Sequence, residues 1–501
     1  MTPAAQTLRR TRRELDESPG IAAYLADWEE LRLGLPPSEP AFVKALRRAA
    51  IERFAAFGFP SSRQEEWRFT NVAPIARASF RRPGPRAAAP LADLEHLLHL
   101  PSIVPQIPAE QLGSWTFDAA ARLVFVDGRF APELSTSLPA ERTDCSIDPA
   151  ALTSIGSIGS IGPIGAEVVV GSLAAALDRT PELLEQHLGR HAGFADHPFV
   201  ALNTAFLRDG ALVVLPRGLV LERPIHLLFL SSPAAGSPSA ATVSYPRNLF
   251  VMGEGSQATI VESYAGAGSY LTCAVTELVA GPGSVVDHYK VQRESRDAFH
   301  MATFQVHGGR NSSISSHSIS LGGGLVRNDV NAVLAGEGID CILNGLYLAD
   351  GRQHVDNHMR VEHAQPHCAS HELYKGILDG KARSVFNGLI HVNPGAQKTD
   401  AKQSNRNLLL SSEAIANSNP QLEIFADDVK CTHGSTVGQL DDDAIFYLRS
   451  RGIGEEAARS LLTYAFASDI VERIKVEPVR RDLEEFLFSR LPKGEVVRQA
   501  V

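Results

Sequence analysis

Residues 420–452 read PQLEIFADDVKCTHGSTVGQLDDDAIFYLRSRG, and within them the chain changes architecture. Leu422, Ile424 and Ala426 alternate with Gln421, Glu423 and Phe425, the period-two pattern of a half-buried strand. If that strand continues through Val429, Cys431 and His433 stand two positions apart on one face, roughly 6–7 Å from each other. A thiolate and an imidazole then face a single metal centre. Lys430 and His433 place positive charge beside the sulphur, which predicts a lowered thiol pKa. Asp441 to Asp443 follow as an N-cap and a negative first turn for a helix that Gly452 ends.

Upstream of this stretch, from about Phe199 to Gly434, helix signals vanish and short strands take over. LVVLPRGLVL, QATIVESY, SVVDHYKVQ, SSHSISL and SVFNGLIHV are each bounded by Gly, Asn, Asp or Pro. Turn glycines recur at a nearly fixed interval: Gly255, Gly283, Gly309 and Gly338, then Gly351 and Gly380. A period in the high twenties with no helix inside it points to a solenoid of stacked strand rungs. A β-sandwich would place its turns every 8–12 residues or so, without such register. The expected fold is therefore mainly β, with a β-helix core.

Both ends read as helical. Tyr24, Leu25, Trp28 and Leu31 share one face, as do Phe42, Leu46, Ala50 and Phe54, with PPSEP between them as a breaker. RLVFVDGRF at 122–130 predicts a strand and tight turn, and Trp67 in EEWRFTN reads as a buried anchor. Thr180 and Pro181 open a short helical segment carrying Leu183, Leu184 and Leu188. After Gly434 come three helices, one around Ile445, Phe446 and Leu448, a second after Gly454, and a third opened by Pro478. The expected division is an N-terminal helical and mixed region over 1–165, ending in the low-complexity SIGSIGSIGPIG stretch. A β-helix core follows over 166–435, entered through a helical segment to about 198, and a helical domain closes the chain over 436–501.

Composition narrows the function. The chain has 501 residues, 44% hydrophobic and 21% charged, with no apolar run near eighteen residues, so a membrane span is not expected. A basic start without an apolar core, interrupted by Glu14, Asp16 and Glu17, argues against a transit peptide and for a cytoplasmic protein. A net charge of −9 gives no basic footprint for nucleic acid. The five cysteines, at 145, 273, 341, 368 and 431, include no C-x-x-C pair, so any cluster must draw ligands from distant positions or another chain. His354, His358, His363, His367 and His371 are close in sequence, but strands and turns would scatter them. No Walker A motif is present: GILDGKAR lacks the spacing and the hydroxyl residue after Lys. Asp427 and Asp428 would alternate faces on a strand and make a poor acid pair.

The text around Cys431 closely resembles the SufD family of iron–sulphur cluster assembly proteins. PQLEIFADDVKCTHGSTVGQLD and FYLRSRGI carry the family hallmark, and NHMRVEHAQPHCASHELYKGILDGKARSVFNG with AQKTDAKQ forms a second matching block. EEWRFTN and HPFVALNTAF extend a weaker similarity toward the N-terminus. The resemblance implies a right-handed parallel β-helix and a non-catalytic scaffold subunit. It also implies a complex with the paralogue SufB, paired through the β-helices, and with the ATPase SufC, docked on the C-terminal helices. ATP hydrolysis would then belong to the partner. A nascent iron–sulphur cluster is implied at the SufB interface, with His433 as a ligand and Cys431 as a nearby thiol. SNRNLLL at 404–410 lacks the cysteine that the paralogue carries ahead of its leucine pair, which supports the D assignment. Reduced flavin on the complex is a looser implication, and self-association of the isolated chain is an open alternative. Two competing readings are a polysaccharide-acting β-helical enzyme and a flavin or metal redox protein. The absence of a secretion signal and an aromatic content of 7% weigh against the first. No recognisable flavin site supports the second.

Overall fold

The computed structural model describes residues 19–78, 80–83, 117–136, 138, 168–232 and 241–500. Its centre is a parallel β-solenoid of about 7 turns. Each turn contributes one strand to each of two sheets. The first sheet runs from Ala121–Val126 through Ile225–Ser231, Gln257–Gly266, Val285–Arg293, Ser313–Ser320, Asp340–Ala349, Ala369–Leu378 and Asp400–Leu409 to Lys430–Gly438. The second runs from Ala211–Leu215 through Arg247–Met252, Tyr270–Ala280, Phe299–Gly308, Leu325–Leu334, His354–His363 and Arg383–Val392 to Ile415–Ile424. These neighbours pair in parallel; antiparallel pairing is confined to short strands at the start of each sheet, Arg129–Phe130 and Val169–Ser172.

The rungs repeat because one backbone position in each must turn with positive φ. Gly255, Gly283, Asn311, Gly338, His367 and Lys398 take φ of 67°, 65°, 56°, 73°, 60° and 62°. Each donates its N–H to a carbonyl one rung further on, at Pro282, Arg310, Glu337, Pro366, Gln397 and Asp428, over 2.6–3.3 Å. Asn tolerates this left-handed conformation, whereas His and Lys occupy it at some cost. Gly309 is not the turn position in its rung. It lies where a Cβ would come within 2.7 Å of the Ala280 carbonyl oxygen, so it is retained for close approach.

The strands alternate as period two requires. Ala258, Val286, Ile314, Cys341, Ser370 and Ala401 occupy successive register positions in the first sheet and are buried in the interior. Another inward column stacks Phe125 on Phe229 and Phe229 on Tyr264, with ring centroids 4.9 and 4.7 Å apart. Some buried charges are paired within the fold: Arg247 Nη2 meets Glu277 Oε2 at 2.5 Å, and Glu277 accepts the N–H groups of Gly189, His191 and Ala192.

The N-terminal helices Pro19–Leu33 and Ala41–Phe57 lie against the second sheet. Tyr24, Phe54 and Phe59 join Phe199, Leu271, Cys273 and Met301 in one apolar cluster. Trp67 is buried as expected, with the Arg327 guanidinium 3.7 Å above its ring. The strand expected at 122–130 forms and turns through Asp127 and Gly128, both with positive φ, as an Asp-Gly hairpin needs. It pairs with Ile225–Ser231, and so belongs to the first sheet.

The loss of helix signals from Phe199 proves too early. Pro198–Ala205 is a helix, with Pro in its first turn and the His197 ring accepting the Val200 N–H. Nor does Thr180 cap the helix Pro181–Glu185 with its side chain; its hydroxyl bonds back to the Ala176 carbonyl. The SIG repeat and Cys145 lie outside the described residues. At the other end the helices Glu455–Val471 and Glu477–Arg490 cover the outer face of the first sheet. Ala467, Ile470, Val471 and Leu483 pack on Val261, Val291, Ile319 and Leu346.

Candidate functional site

The end of the solenoid is where the sequence places its two candidate metal ligands, and the local path differs from the one expected. The strand through Leu422 stops at Ile424. The chain turns at 425–429 and enters the other sheet as Lys430–Gly438. Cys431 and His433 still fall two positions apart on one strand, in register with Ala401 and Gln403. Those partners are buried and belong to inward columns, so both candidate residues sit on the interior side of the first sheet. Among the described residues no further rung covers them. Lys430–Gly438 and Ile415–Ile424 are the last strands of the two sheets, each paired along one edge only among the described residues. Cys431 is half-buried and His433 exposed, whereas the residues below them in the same columns are closed from solvent.

The thiol departs from expectation. Burial raises the Cys431 pKa above its ordinary value and the Asp400 carboxylate adds to the rise, while a backbone hydrogen bond from Ala401 partly offsets both. Lys430 is one position out of phase with Cys431 and belongs to the opposite face, so its proximity in sequence does not become a stabilising charge. Cys431 packs beside Ile390, Val392 and Ala426. Such an environment favours a neutral thiol until a metal displaces the proton.

Beneath His433 lies a feature that sequence reading missed. Going down the column from His433 one meets Gln403 and then Glu372. Gln403 Nε2 donates to Glu372 Oε2 at 2.7 Å, and the Oε1 atoms of both residues have no hydrogen-bond partner. Burial pushes the Glu372 carboxyl up to about 7, against the opposing pull of that hydrogen bond. A carboxyl that can hold a proton near neutrality therefore sits two rungs inside the open end. Only the register reveals it, because Gln403 lies 31 positions after Glu372 and His433 a further 30 after Gln403.

Among the described residues no three His, Cys, Asp or Glu side chains converge as a metal site. The five clustered histidines are dispersed. His354 bonds Thr70, His358 pairs with Asp356, and His363 bonds Ser370 inside the solenoid. His367 holds a turn, and His371 lies on the strand Ala369–Leu378. Cys273, Cys341 and Cys368 are buried and unpaired. Asp428 is in the turn, where it forms an ion pair with Lys398.

Beyond the terminal rung, Asp441 caps the helix Asp442–Ser450 by accepting the N–H groups of Asp443 and Ala444 at 2.8 and 3.3 Å. Of this helix only Ile445 is buried; Phe446 and Tyr447 are 71% and 56% exposed. Phe425 and Val437, on or beside the terminal rung, are 59% and 47% exposed. Large apolar side chains left in water are thus concentrated at this end of the molecule. Among the described residues no helix is long and apolar enough to cross a membrane.

Comparison with known proteins accords with this geometry. Residues 234–466 match the family model described as SUF system FeS cluster assembly, SufBD core domain, and residues 160–227 match the SufBD protein N-terminal region. An iron-sulfur cluster assembly SufBD family protein of Synechocystis is 33% identical over 90% of this chain and 92% of its own length. The iron-sulfur cluster assembly protein SufD of Escherichia coli is 28% identical over 89% of this chain and 92% of its own length. A chloroplastic protein of Arabidopsis thaliana, ABCI7, is 27% identical over 95% of this chain and 94% of its length. The solenoid, its open end and these matches together establish that the chain belongs to the SufBD family, as a SufD-like component of the SUF system of iron–sulphur cluster assembly.

Proposed function

We propose that this chain is a non-catalytic scaffold subunit whose open solenoid end pairs with a SufB-like paralogue, and that a nascent iron–sulphur cluster is assembled across that junction. The observation that carries the reading is the uncovered terminal rung. Two strand edges with unsatisfied N–H and C=O groups, and an interior column that ends in His433 and Cys431, suit the addition of another β-structure. His433 is the first ligand candidate, being exposed and on the inward face. Cys431 is the nearby thiol, loaded with release of its proton. The remaining ligands come from the partner, since no complete set converges here among the described residues.

The C-terminal helices supply the second contact. Asp442–Ser450 presents Phe446 and Tyr447, while the next two helices are locked to the first sheet. Lys375 Nζ reaches Asp469 Oδ2 at 2.7 Å, and Lys475 Nζ reaches Asp287 Oδ2 at 2.9 Å. An ATPase of the SufC type docked on the exposed helix would transmit its motion through these helices to the solenoid. On this reading the complex works in the cytoplasm and ATP hydrolysis is the partner's.

The test is cluster formation by the complex reconstituted with SufB-like and SufC-like partners. His433→Ala is expected to assemble normally and to lower cluster yield severalfold, and Cys431→Ser is expected to lower it less. Undiminished yield from a fully assembled His433→Ala complex would remove the ligand role. Failure of the chain to co-purify with either partner would remove the scaffold reading.

A further inference from the structure

A pocket far from the terminal rung has no part in cluster assembly as proposed above. It lies in the N-terminal layer, in a cleft of about 340 Å³ lined from the helix Pro19–Leu33 and the following residues 34–40, the helices Ala41–Phe57 and Leu173–Arg179, and the segments carrying Arg82 and Arg208. Arg47, on Ala41–Phe57, is only 4% exposed and yet incompletely paired. Its Nη2 meets Glu39 Oε1 at 3.1 Å, while Nε and Nη1, like Oε2 of the buried Glu39 carboxylate, are enclosed and have no hydrogen-bond partner. A buried guanidinium with two idle donor nitrogens is costly unless something else completes it.

The neighbours make the imbalance worse. Arg82 is tied on one edge to Asp27, with Nε donating to Oδ1 at 2.9 Å, and Arg208 forms no ion pair among the described residues. The buried site and the like charges of Arg208 and Arg82 lower the Arg47 pKa to about 10, with Glu39 opposing. Arg129 is lowered by burial and by the same two arginines. Three acids also line the cleft: the Glu39 carboxylate is buried and offsets part of the Arg47 charge, whereas Glu30 and Asp178 are exposed, as Arg208 is, so solvent screens them more than it screens Arg47.

We propose that Arg47, Arg82 and Arg208 bind the phosphate group of a small phosphorylated ligand in this cleft. An arginine fork matches the oxygens of a phosphate two at a time, and a dianion offsets more of the clustered positive charge than a carboxylate does. The cleft is large enough for a small molecule beyond the phosphate itself. The proposal is independent of the cluster site, because nothing in it involves the terminal rung.

Inorganic phosphate is the probe, titrated into the full chain at constant ionic strength and followed by calorimetry and thermal unfolding. Saturable binding in the millimolar range with a rise in Tm is expected. Arg208→Gln, an exposed substitution that should leave the Tm without phosphate unchanged, is expected to weaken binding roughly tenfold. Arg82→Gln should weaken it comparably. The proposal is overturned if phosphate gives no saturable signal, or if both variants bind it as the parent chain does. Cluster formation by the Arg208→Gln complex should be normal, which separates this test from that of the scaffold reading.

Discussion

The middle rungs and the last rung of the solenoid share one backbone plan, and they differ in what lies above them. In the strand Asp340–Ala349, the inward residues Cys341 and Leu343 are closed off by neighbours on both sides. Cys431 and His433 occupy the same two columns three rungs on and face open space along one edge. In the centre an inward position means apolar packing, or polar groups bonded in place. At the end the same positions carry a thiol and an imidazole with no strand beyond them among the described residues.

The sharpest test of that contrast uses one column. Leu343→Ala, in the closed interior, is expected to lower the unfolding free energy by about 2–5 kcal/mol, as a cavity in a packed core does. His433→Ala at the open end should change it by no more than about 0.5 kcal/mol. Urea denaturation of the isolated chain reads both. Equal losses would mean that the terminal rung is packed like the others.

Glu372 probes the depth at which the opening is still felt. Its folded pKa lies above the ordinary 4.5, at about 7, so the stability linked to it is complete below pH 4.5 and is lost as pH rises toward 7. The loss is about 3 kcal/mol if the carboxyl is as well sealed as its burial indicates. Glu372→Gln keeps an acceptor for Gln403 and should lack that loss, so the two stability curves diverge between pH 4.5 and 7 and run parallel above it. Superimposable curves would mean that water or the partner side already relieves the carboxyl.

Smaller effects test the junction itself. Asp441→Ala removes the cap that starts the helix after the terminal rung, and should cost about 1 kcal/mol in thermal unfolding. Thiol alkylation should distinguish the cysteines with no cost in stability. Cys431 should react before Cys273 and Cys341, and its rate should keep climbing above pH 9 because its pKa is raised. Protection of Cys431 on addition of a SufB-like partner would place that partner on the open end.

Much of this was legible in the residues. Period-two alternation and turn glycines near every twenty-eighth position revealed the solenoid, because left-handed turns strongly favour glycine. The same signal failed where Asn311, His367 and Lys398 take the turn, since the register of hydrogen bonds between rungs imposes that conformation on residues that do not advertise it. The Cys431 and His433 pair was legible from its spacing. The strand boundary at Ile424 and the raised thiol pKa were not, because sequence proximity to Lys430 says nothing about burial.

By itself, then, the order of residues determined the kind of fold, the change to helices at its C-terminal end though not its position, since the last strand runs past Gly434 to Gly438, and the pair of side chains that share a strand face. These follow from local φ preferences and from the period at which apolar groups recur, and both are written along the chain. Only the tertiary structure decided that the pair lies on the last rung, that Glu372 sits beneath it, and that arginines far apart in sequence meet in one cleft. Those facts depend on the register between rungs and on where stacking ends, which are set by contacts between residues tens to hundreds of positions apart.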